Sequence, residues 1–474
     1  MKKTKVICTI GPSSEKEDTL RKLLLAGMNV ARINCSHGSH EEHRSKIETF
    51  RKVRDELGMP AAVLLDTKGP EIRLGTFKGG KAFIKEGQSF ILTTKAVDGD
   101  ENISHVKYER LPQEIVVGDS VLIDDGKITL KVLEVKDRDI ICQVINGGMV
   151  SNNKGVNLPD VSLSMDYISE ADRADLLFGI EMDVDYVAAS FVRNRDDVIT
   201  LRKLLVENGG ERIKIISKIE STEGLENFEE ILKESDGIMI ARGDMGVEVP
   251  FQRLPGIQKN IIRRCLQSGK LAITATQMLE SMIENPSPTR AEITDVANAV
   301  FDGTSAIMLS GETAAGSYPV EAVAAMNKIA MQAEDDMPKN LNATQNYREM
   351  NSEDVTNAVG HSACTLAGDI KAGAIMAITK TGYTARRMSK FRPNTPIVGL
   401  TAYEKTFHQL ALEWGVIPSI IDRHDDLEEI ISKGISRLLE TDVIEAGDKV
   451  VISCGMPLDV PGNTNIIRVE TARI

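Results

Sequence analysis

A (β/α)8 TIM barrel, interrupted by an all-β module and followed by a separate α/β unit, is the fold predicted by three features of this 474-residue chain. First, short β-branched apolar segments recur eight times, each ending in a small or polar cluster and leading into a helical pattern. Runs apolar at nearly every position are what strands buried on both faces of a parallel sheet look like. Second, no GxGxxG follows the first of them, and eight exceeds the usual strand count of an open doubly wound sheet, so closure into a barrel is favoured. Third, one long helix-poor gap, 68–185, breaks the rhythm between the third and fourth segments.

In order, KVICTIG (5–11) is the first strand, and SSEKEDTLRKLLLAG (13–27) is a helix with a Ser/Glu capping pattern and a glycine stop. VARINCS (30–36), helix HEEHRSKIETFRKVRDELG (40–58) and strand AAVLLDT (61–67) follow. KAFIKEGQSFILTT, SVLIDDGKITLKVLEV and DIICQVINGG then alternate apolar with polar residues between Gly and Asp breaks, which predicts a β-barrel module over 70–169. An insertion at the C-terminal end of a barrel strand lies over the catalytic face, so a lid is expected.

The barrel resumes with helix 170–182, YVAASFV (186–192), helix 196–210, KIISKIE (214–220), GIMIARG (237–243), helix 254–269, LAITATQ (271–277), SAIMLSG (305–311) and a closing helix 321–337. The catalytic barrel is thus expected over 1–69 and 170–340. The polar stretch 338–354 reads as a linker, and 341–474 as an α/β domain. That domain runs through helix 354–370, strand 374–379, helix 384–391, strand 396–401, a helix near 404–413 and strands near 449–454 and 466–470.

Composition narrows the function. Hydrophobic residues at 42 % and charged residues at 27 % exclude a disordered or fibrous chain. No apolar run reaches the ~18 residues of a bilayer span, and the basic N-terminus meets charges too soon for a signal peptide, so no membrane partner is expected. Six scattered cysteines without CxxC spacing predict free thiols in a reducing, cytoplasmic compartment. A net charge of −13 leaves no footprint for nucleic acid. An anionic substrate must therefore be held by local basic groups working against the global field.

On such a barrel, polar residues at strand C-termini are the catalytic candidates. These are Arg32, Asn34, Ser36, Asp66, Thr67, Lys218, Glu220, Arg242, Gly243, Asp244, Thr276 and Ser310. Glu220 and Asp244, on neighbouring strands, are a carboxylate pair of the kind that holds Mg²⁺ together with a substrate anion and waters. Lys218 and Arg32 beside them are what a migrating phosphoryl group needs as its charge redistributes. The same residues could instead form an ion-pair layer inside the barrel.

In ARGDMGVEVP, backbone N–H groups freed at Gly243 and Asp244 are candidates for a substrate carboxylate; the competing reading is a simple turn with an acidic cap. Asn34, Ser36, Asp66 and the Thr67 carbonyl make an all-oxygen set with one formal charge, which suits a monovalent cation better than a divalent one. RINCSHGSHEEH holds three histidines and Cys35 but lacks the second cluster a zinc site needs. His37 there is expected to donate to an anion or to cap the following helix.

RINCSHG, LLDTKGPEIR, NKGVNLP, SKIE, ARGDMGVE and the long string ITATQMLESMIENPSPTRAEITDVANAVFDGTSAIMLSGETAAGSYP together closely resemble the pyruvate kinase family. The resemblance runs from residue 4 into the C-terminal domain and includes the barrel, lid and regulatory-domain plan. It implies phosphoryl transfer from phosphoenolpyruvate to ADP, giving pyruvate and ATP. It implies that Glu220 and Asp244 ligate Mg²⁺ (Mn²⁺ being an acceptable substitute), that Lys218 stabilises the transferring group and that Arg32 holds the same phosphate. Gly243, Asp244 and Thr276 would orient the substrate carboxylate. Asn34, Ser36, Asp66 and Thr67 would bind K⁺. Asn34, His37, Arg73 and Lys154 would contact ADP. Ser310, near Thr276, would belong to the water network that protonates the enolate. Glu71 stands where the family carries Glu in K⁺-dependent members, which implies K⁺ dependence here. Cys35 and Met245 depart from the residues common in the family, and neither supplies chemistry.

In the C-terminal domain, Thr379, Lys380, Thr381, Gly382, Tyr383 and Thr384 offer hydroxyls and N–H groups at a helix start, with Arg386 and Arg387 adding charge. This reads as a phosphate cradle or as an ordinary capped helix. The resemblance implies an allosteric site there for a phosphorylated small molecule. The acidic stretch 422–430 lacks the tryptophan and basic partner of some fructose-1,6-bisphosphate-activated relatives, which leaves a sugar monophosphate or AMP as competitors. The family also implies a homotetramer, and the chain's end at Ile474 implies the form without an extra C-terminal domain. Two other readings compete with this one. A carbon–carbon lyase on a similar barrel needs no ADP lid or K⁺ cluster, so Arg73, Lys154 and Asp66 speak against it. A non-catalytic sugar-phosphate sensor would have no use for Lys218 and Glu220.

Overall fold

The computed structural model describes residues 2–337, 354–458 and 462–473. Eight parallel strands close into a barrel: β1 (Lys5–Thr9), β2 (Val30–Asn34), β3 (Ala62–Asp66), β4 (Tyr186–Ala189), β5 (Lys214–Ile219), β6 (Gly237–Ala241), β7 (Leu271–Ala275) and β8 (Ala306–Leu309). Each pairs with its neighbour in sequence, and β8 returns to β1 from Lys5↔Ala306 to Cys8↔Leu309. Inward-facing Ile7, Leu64, Ile216, Met239, Ile273 and Met308 fill the interior. Outward-facing Val6, Val63, Ile215, Ile238 and Ile307 pack beneath the helices. Both faces are thus dry, which is why the strands read as continuous apolar runs.

The helix starts are set by side-chain caps, with one departure from expectation. Ser39 and Glu42 form a capping box on His40–Glu56, and Ser169 and Asn194 cap Glu170–Glu181 and Arg195–Glu207. The first helix, Glu17–Ala26, begins at Lys16 with no side-chain cap, because the Ser14 hydroxyl is spent on the Gly11 N–H in the preceding turn. It stops at Gly27, where φ is 114° and a side chain would be strained. Since Ser39 caps the second helix, the expected capping role for His37 does not hold.

The chain leaves the barrel after β3 and builds a seven-stranded sheet plus a two-stranded ribbon before returning to β4. The sheet runs from Ile72–Arg73 at one edge to Ile103–His105 at the other. Those edges are joined at a Leu74–Val106 bridge, where the Gly75 N–H donates to the His105 carbonyl at 2.8 Å and the Lys107 N–H to the Arg73 carbonyl at 2.9 Å, with a Phe77–Gly99 bridge beside it. Its own core of Leu74, Phe90, Val121, Leu130 and Ile140 is separate from that of the barrel.

The C-terminal unit is a five-stranded sheet ordered Val416–Ile420, Ile397–Thr401, Ala374–Ile378, Lys449–Cys454 and Ile466–Thr471. Only the last strand is antiparallel. Strand Val416–Ile420 and helix Leu427–Glu440 fall where the sequence pattern had predicted no element. The expected linker 338–354 lies outside the described residues except for Asp354, which caps helix Val355–Asp369.

This unit also closes the floor of the barrel. Leu412 completes the barrel's interior layer. The Tyr186 hydroxyl donates to the Gln409 carbonyl at 2.7 Å, Gln409 Nε2 donates to the Asp185 and Arg212 carbonyls, and Lys5 Nζ donates to the Val416 carbonyl at 2.7 Å. No helix among the described residues is long and apolar enough to cross a membrane.

Candidate active site

At the C-terminal mouth of the barrel, Lys218 near the end of β5 is buried between two carboxylates. Its Nζ lies 3.1 Å from Asp66 Oδ1 and 3.1 Å from Glu220 Oε1, and donates to Ser190 Oγ at 2.7 Å. Arg32 on β2 donates from Nε to Asp66 Oδ2 at 2.6 Å and from Nη1 to Thr9 Oγ1 at 2.9 Å. Asp66 therefore bridges an ammonium and a guanidinium. Burial pushes its carboxyl up, but Arg32 and Lys218 outweigh that and hold it below the usual carboxylate range. Burial likewise lowers Lys218, and the Asp66 and Glu220 charges outweigh it, so the ammonium stays protonated.

Glu220 is in the opposite position. Burial, opposed by Lys218 and reinforced by the nearby Asp244 charge, pushes it up to about 7. Its Oε2 accepts the Phe191 N–H at 2.6 Å, while buried Oε1 accepts no hydrogen bond among the described residues. To aim that N–H, Phe191 takes φ 51°, an unfavourable region for an L-residue.

Asp244 lies on the helix Arg242–Glu248 that follows β6, where a turn was expected. It lines a cavity of about 310 Å³ between barrel and insert, together with Phe191, Glu71, Asn157 and Glu248. Asn157 Nδ2 donates to Glu248 Oε1 at 3.1 Å, tying the root of the insert to this helix. The Gly243 N–H is not free as expected; it donates to Thr276 Oγ1 at 2.8 Å, because Thr276 follows the adjacent strand. Thr276 itself has φ 67°, held by Arg242, whose Nη2 donates to the Thr276 and Gln277 carbonyls at 2.7 and 3.0 Å. The Ser310 N–H donates to Glu312 Oε2 at 2.7 Å, and its buried hydroxyl has no partner among the described residues.

Of the expected monovalent-cation oxygens, Asn34 and Asp66 are register partners across β2 and β3, and Asn34 Oδ1 accepts the Ser36 N–H at 3.1 Å. The Thr67 carbonyl accepts the Ser190 hydroxyl at 2.7 Å. Arg73 and Lys154 meet at the root of the insert, where Arg73 pairs across strands with Gly155. Arg73 is held by Glu71 Oε2 at 2.7 Å and by the Asn153 carbonyl at 2.9 Å, and Lys154 by Asp124 at 2.7 Å. His37 stands exposed on the loop after β2 and is not brought into contact with them. Ser190 and Phe191 were missed as site residues, although their place at the end of YVAASFV is the same strand-end signal that marks the others.

The C-terminal unit holds a second cavity of about 220 Å³, lined by Thr379, Lys380, Thr381, Tyr383 and Thr384 and closed opposite by the 421–425 segment. Lys380 lies over the Tyr403 ring. Gly382, φ 80°, starts the helix Tyr383–Ser389 without lining the cavity. Arg386 and Arg387 stand beside the cavity without lining it: Arg386 Nε is 3.7 Å from Glu413 and its Nη2 donates to the Thr381 carbonyl at 3.5 Å, and Arg387 stacks on Tyr383.

Comparison with known proteins adds to this geometry. Residues 1–323 match the family model of the pyruvate kinase barrel domain, and residues 357–470 that of the pyruvate kinase α/β domain. The chain is 47 % identical over 473 residues to a pyruvate kinase of Clostridium acetobutylicum, covering 99 % of each. It is 45 % identical over 479 residues to one of Staphylococcus haemolyticus, covering 80 % of that relative. A crystal structure of a pyruvate kinase from Cryptosporidium parvum superposes with a TM-score of 0.95 at 38 % identity, covering 99 % of this chain and 96 % of that one.

Proposed function

The chain belongs to the pyruvate kinase family, and from that premise we propose how its own residues transfer a phosphoryl group from phosphoenolpyruvate to ADP. The observation that carries the reading is the Lys218 ammonium fixed at the barrel mouth between Asp66 and Glu220. Phosphoryl transfer passes through a loose transition state, so catalysis is mainly positioning plus charge stabilisation. Lys218 meets the charge developing on the migrating group, and Arg32, oriented by Asp66 and Thr9, holds the phosphate.

Glu220 Oε1, buried, facing Lys218 but accepting no hydrogen bond among the described residues, on a carboxyl pushed up to about 7, fits a divalent ion. Glu220 and Asp244 would hold magnesium or manganese there, with substrate oxygens and water completing the shell. When bound, the ion polarises substrate oxygens and offsets their charge. Asn34, Ser36, Asp66 and the Thr67 carbonyl are the proposed potassium oxygens. Thr276, Gly243 and Asp244 would orient the substrate carboxylate, and the Gly243 N–H bond to Thr276 Oγ1 that joins two of them supports this. The Ser310 hydroxyl, buried and without a partner among the described residues, would join the water chain that protonates the enolate, whose collapse to the ketone drives the reaction toward ATP. Asn34, His37, Arg73 and Lys154 would hold ADP as the insert closes and excludes water.

The second cavity is the proposed site of a phosphorylated effector, a sugar phosphate or AMP. A cytoplasmic homotetramer completes the reading. The test is a coupled assay of pyruvate formation from phosphoenolpyruvate and ADP, with and without potassium and with each candidate effector. Absence of magnesium-dependent pyruvate release would overturn it.

A further inference from the structure

Ser190, fully buried at the end of β4, makes more contacts in the site than any role so far requires. Its Oγ accepts from Lys218 Nζ at 2.7 Å, donates to the Thr67 carbonyl at 2.7 Å and lies 3.3 Å from Asp66 Oδ1. Its N–H donates to Thr67 Oγ1 at 3.3 Å and its carbonyl accepts the Tyr167 hydroxyl at 3.1 Å, so its backbone is pinned on both sides. Gly69 packs against it so closely that a Cβ there would come within 2.7 Å of the Ser190 carbonyl oxygen. A hydroxyl carries one proton. Because Lys218 has only donors to offer, the Ser190 proton has two destinations: the Thr67 carbonyl, or Asp66 Oδ1, the same oxygen that faces Lys218.

We infer that Ser190 is a positioning residue that couples occupancy of the monovalent-cation oxygens to the Lys218 ammonium. This rests on the roles proposed above for Thr67 and Lys218. A cation drawn to the Thr67 carbonyl repels the positive end of the Ser190 O–H dipole. The hydroxyl then swings to Asp66 Oδ1 while its oxygen keeps accepting from Lys218. Asp66 Oδ1, now shared, pulls less on the ammonium, which is released toward the substrate side. Site and switch need no backbone movement, only rotation of one hydroxyl.

The test compares Ser190→Ala and Ser190→Cys with the wild-type full chain, each checked for folding by circular dichroism. Ser190→Ala should lower kcat about 10- to 100-fold, the weight of one hydrogen bond to a charged group, while KM for phosphoenolpyruvate moves less than threefold. A second readout needs no turnover. The thermal upshift of substrate-free protein in KCl, measured against tetramethylammonium chloride, should reach half its maximum at a lower potassium concentration in Ser190→Ala, because the competing proton is gone. Ser190→Cys, which fills the space but is a poor acceptor for an ammonium, should follow Ala. Wild-type kcat in both variants, a wild-type potassium midpoint in Ser190→Ala, or a Cys variant that behaves as wild type would each overturn the inference, the last by reducing Ser190 to packing. Lys218→Met run in parallel separates the two levels. An active Lys218→Met protein defeats the proposed function, whereas an inactive one beside an unaffected Ser190→Ala defeats only the coupling.

Discussion

Replacing Lys218 by Met removes the one cation that faces both Asp66 and Glu220. At 3.1 Å and an effective dielectric of about 20, each carboxylate loses roughly 5 kcal/mol of attraction before solvent and protons respond. Asp66 keeps Arg32 at 2.6 Å and stays charged. Glu220 keeps no cation, and a carboxyl already pushed up to about 7 takes a proton instead. That relief limits the cost of breaking a buried pair, otherwise about 3–5 kcal/mol, and makes it pH-dependent. The variant should lose more stability at pH 8 than at pH 6.5. The kinetic loss is larger. A cation aimed at a transferring phosphoryl group contributes on the order of 10³- to 10⁵-fold, against about 10²- to 10³-fold for a neutral oxyanion donor. A coupled assay under saturating substrates, run well below the melting temperature found by calorimetry, should show at least about a 10³-fold fall in kcat. A folded variant that retains a tenth of wild-type turnover would mean that Lys218 is a structural ion-pair residue and that the catalytic assignment is wrong.

Other outcomes follow from neighbouring contacts. Glu220→Gln should weaken Mn²⁺ binding measured by electron paramagnetic resonance titration by at least tenfold; unchanged binding would place the divalent site elsewhere. Glu71→Lys puts an ammonium near the proposed potassium oxygens and releases Arg73, so the ratio of activity with and without KCl should fall toward one while KM for ADP rises; an unchanged ratio would count against Glu71 as the determinant. His408 is buried and neutral, its ring pushed down to about 3 by desolvation, so its 3.8 Å approach to Glu404 is not an ion pair. Because the unfolded chain binds that proton near 6.5 and the folded one does not, His408 costs stability as pH falls below 6.5. The difference in unfolding free energy between wild type and His408→Asn should therefore shift by about 2 kcal/mol between pH 7.5 and pH 5, read from urea titrations. A pH-independent difference would show that the folded ring takes its proton as readily as the unfolded one.

The barrel was legible because parallel strands buried on both faces leave unbroken apolar runs such as AAVLLDT and YVAASFV. The strand ends exposed Arg32, Asp66, Lys218 and Glu220, since polar groups have little reason to finish such runs unless a site needs them. What the pattern could not carry was pairing. Nothing in GIMIARGDMG announces that Thr276 Oγ1 takes the Gly243 N–H, or that Arg242 props a left-handed Thr276. Ser190 is not among the strand-end candidates, though it links three of them. In the C-terminal unit, the sequence offers Arg386 and Arg387 as added charge near the cradle but cannot show their partners, Glu413 and the Tyr383 ring. Val416–Ile420 escaped notice because Pro418 and half-buried positions hide its strand character.

The seal that Leu412, Gln409 and Val416 make beneath β1 and β4 has a practical corollary for protein engineering. A catalytic fragment cut near residue 340 would be left with an open drain at its base: an apolar layer wetted from below and a Tyr186 hydroxyl with its acceptor removed. Grafting the α/β unit of a relative would succeed only if the donor brought its own stopper, matched in shape to this interior, so the two halves must be exchanged as a fitted set.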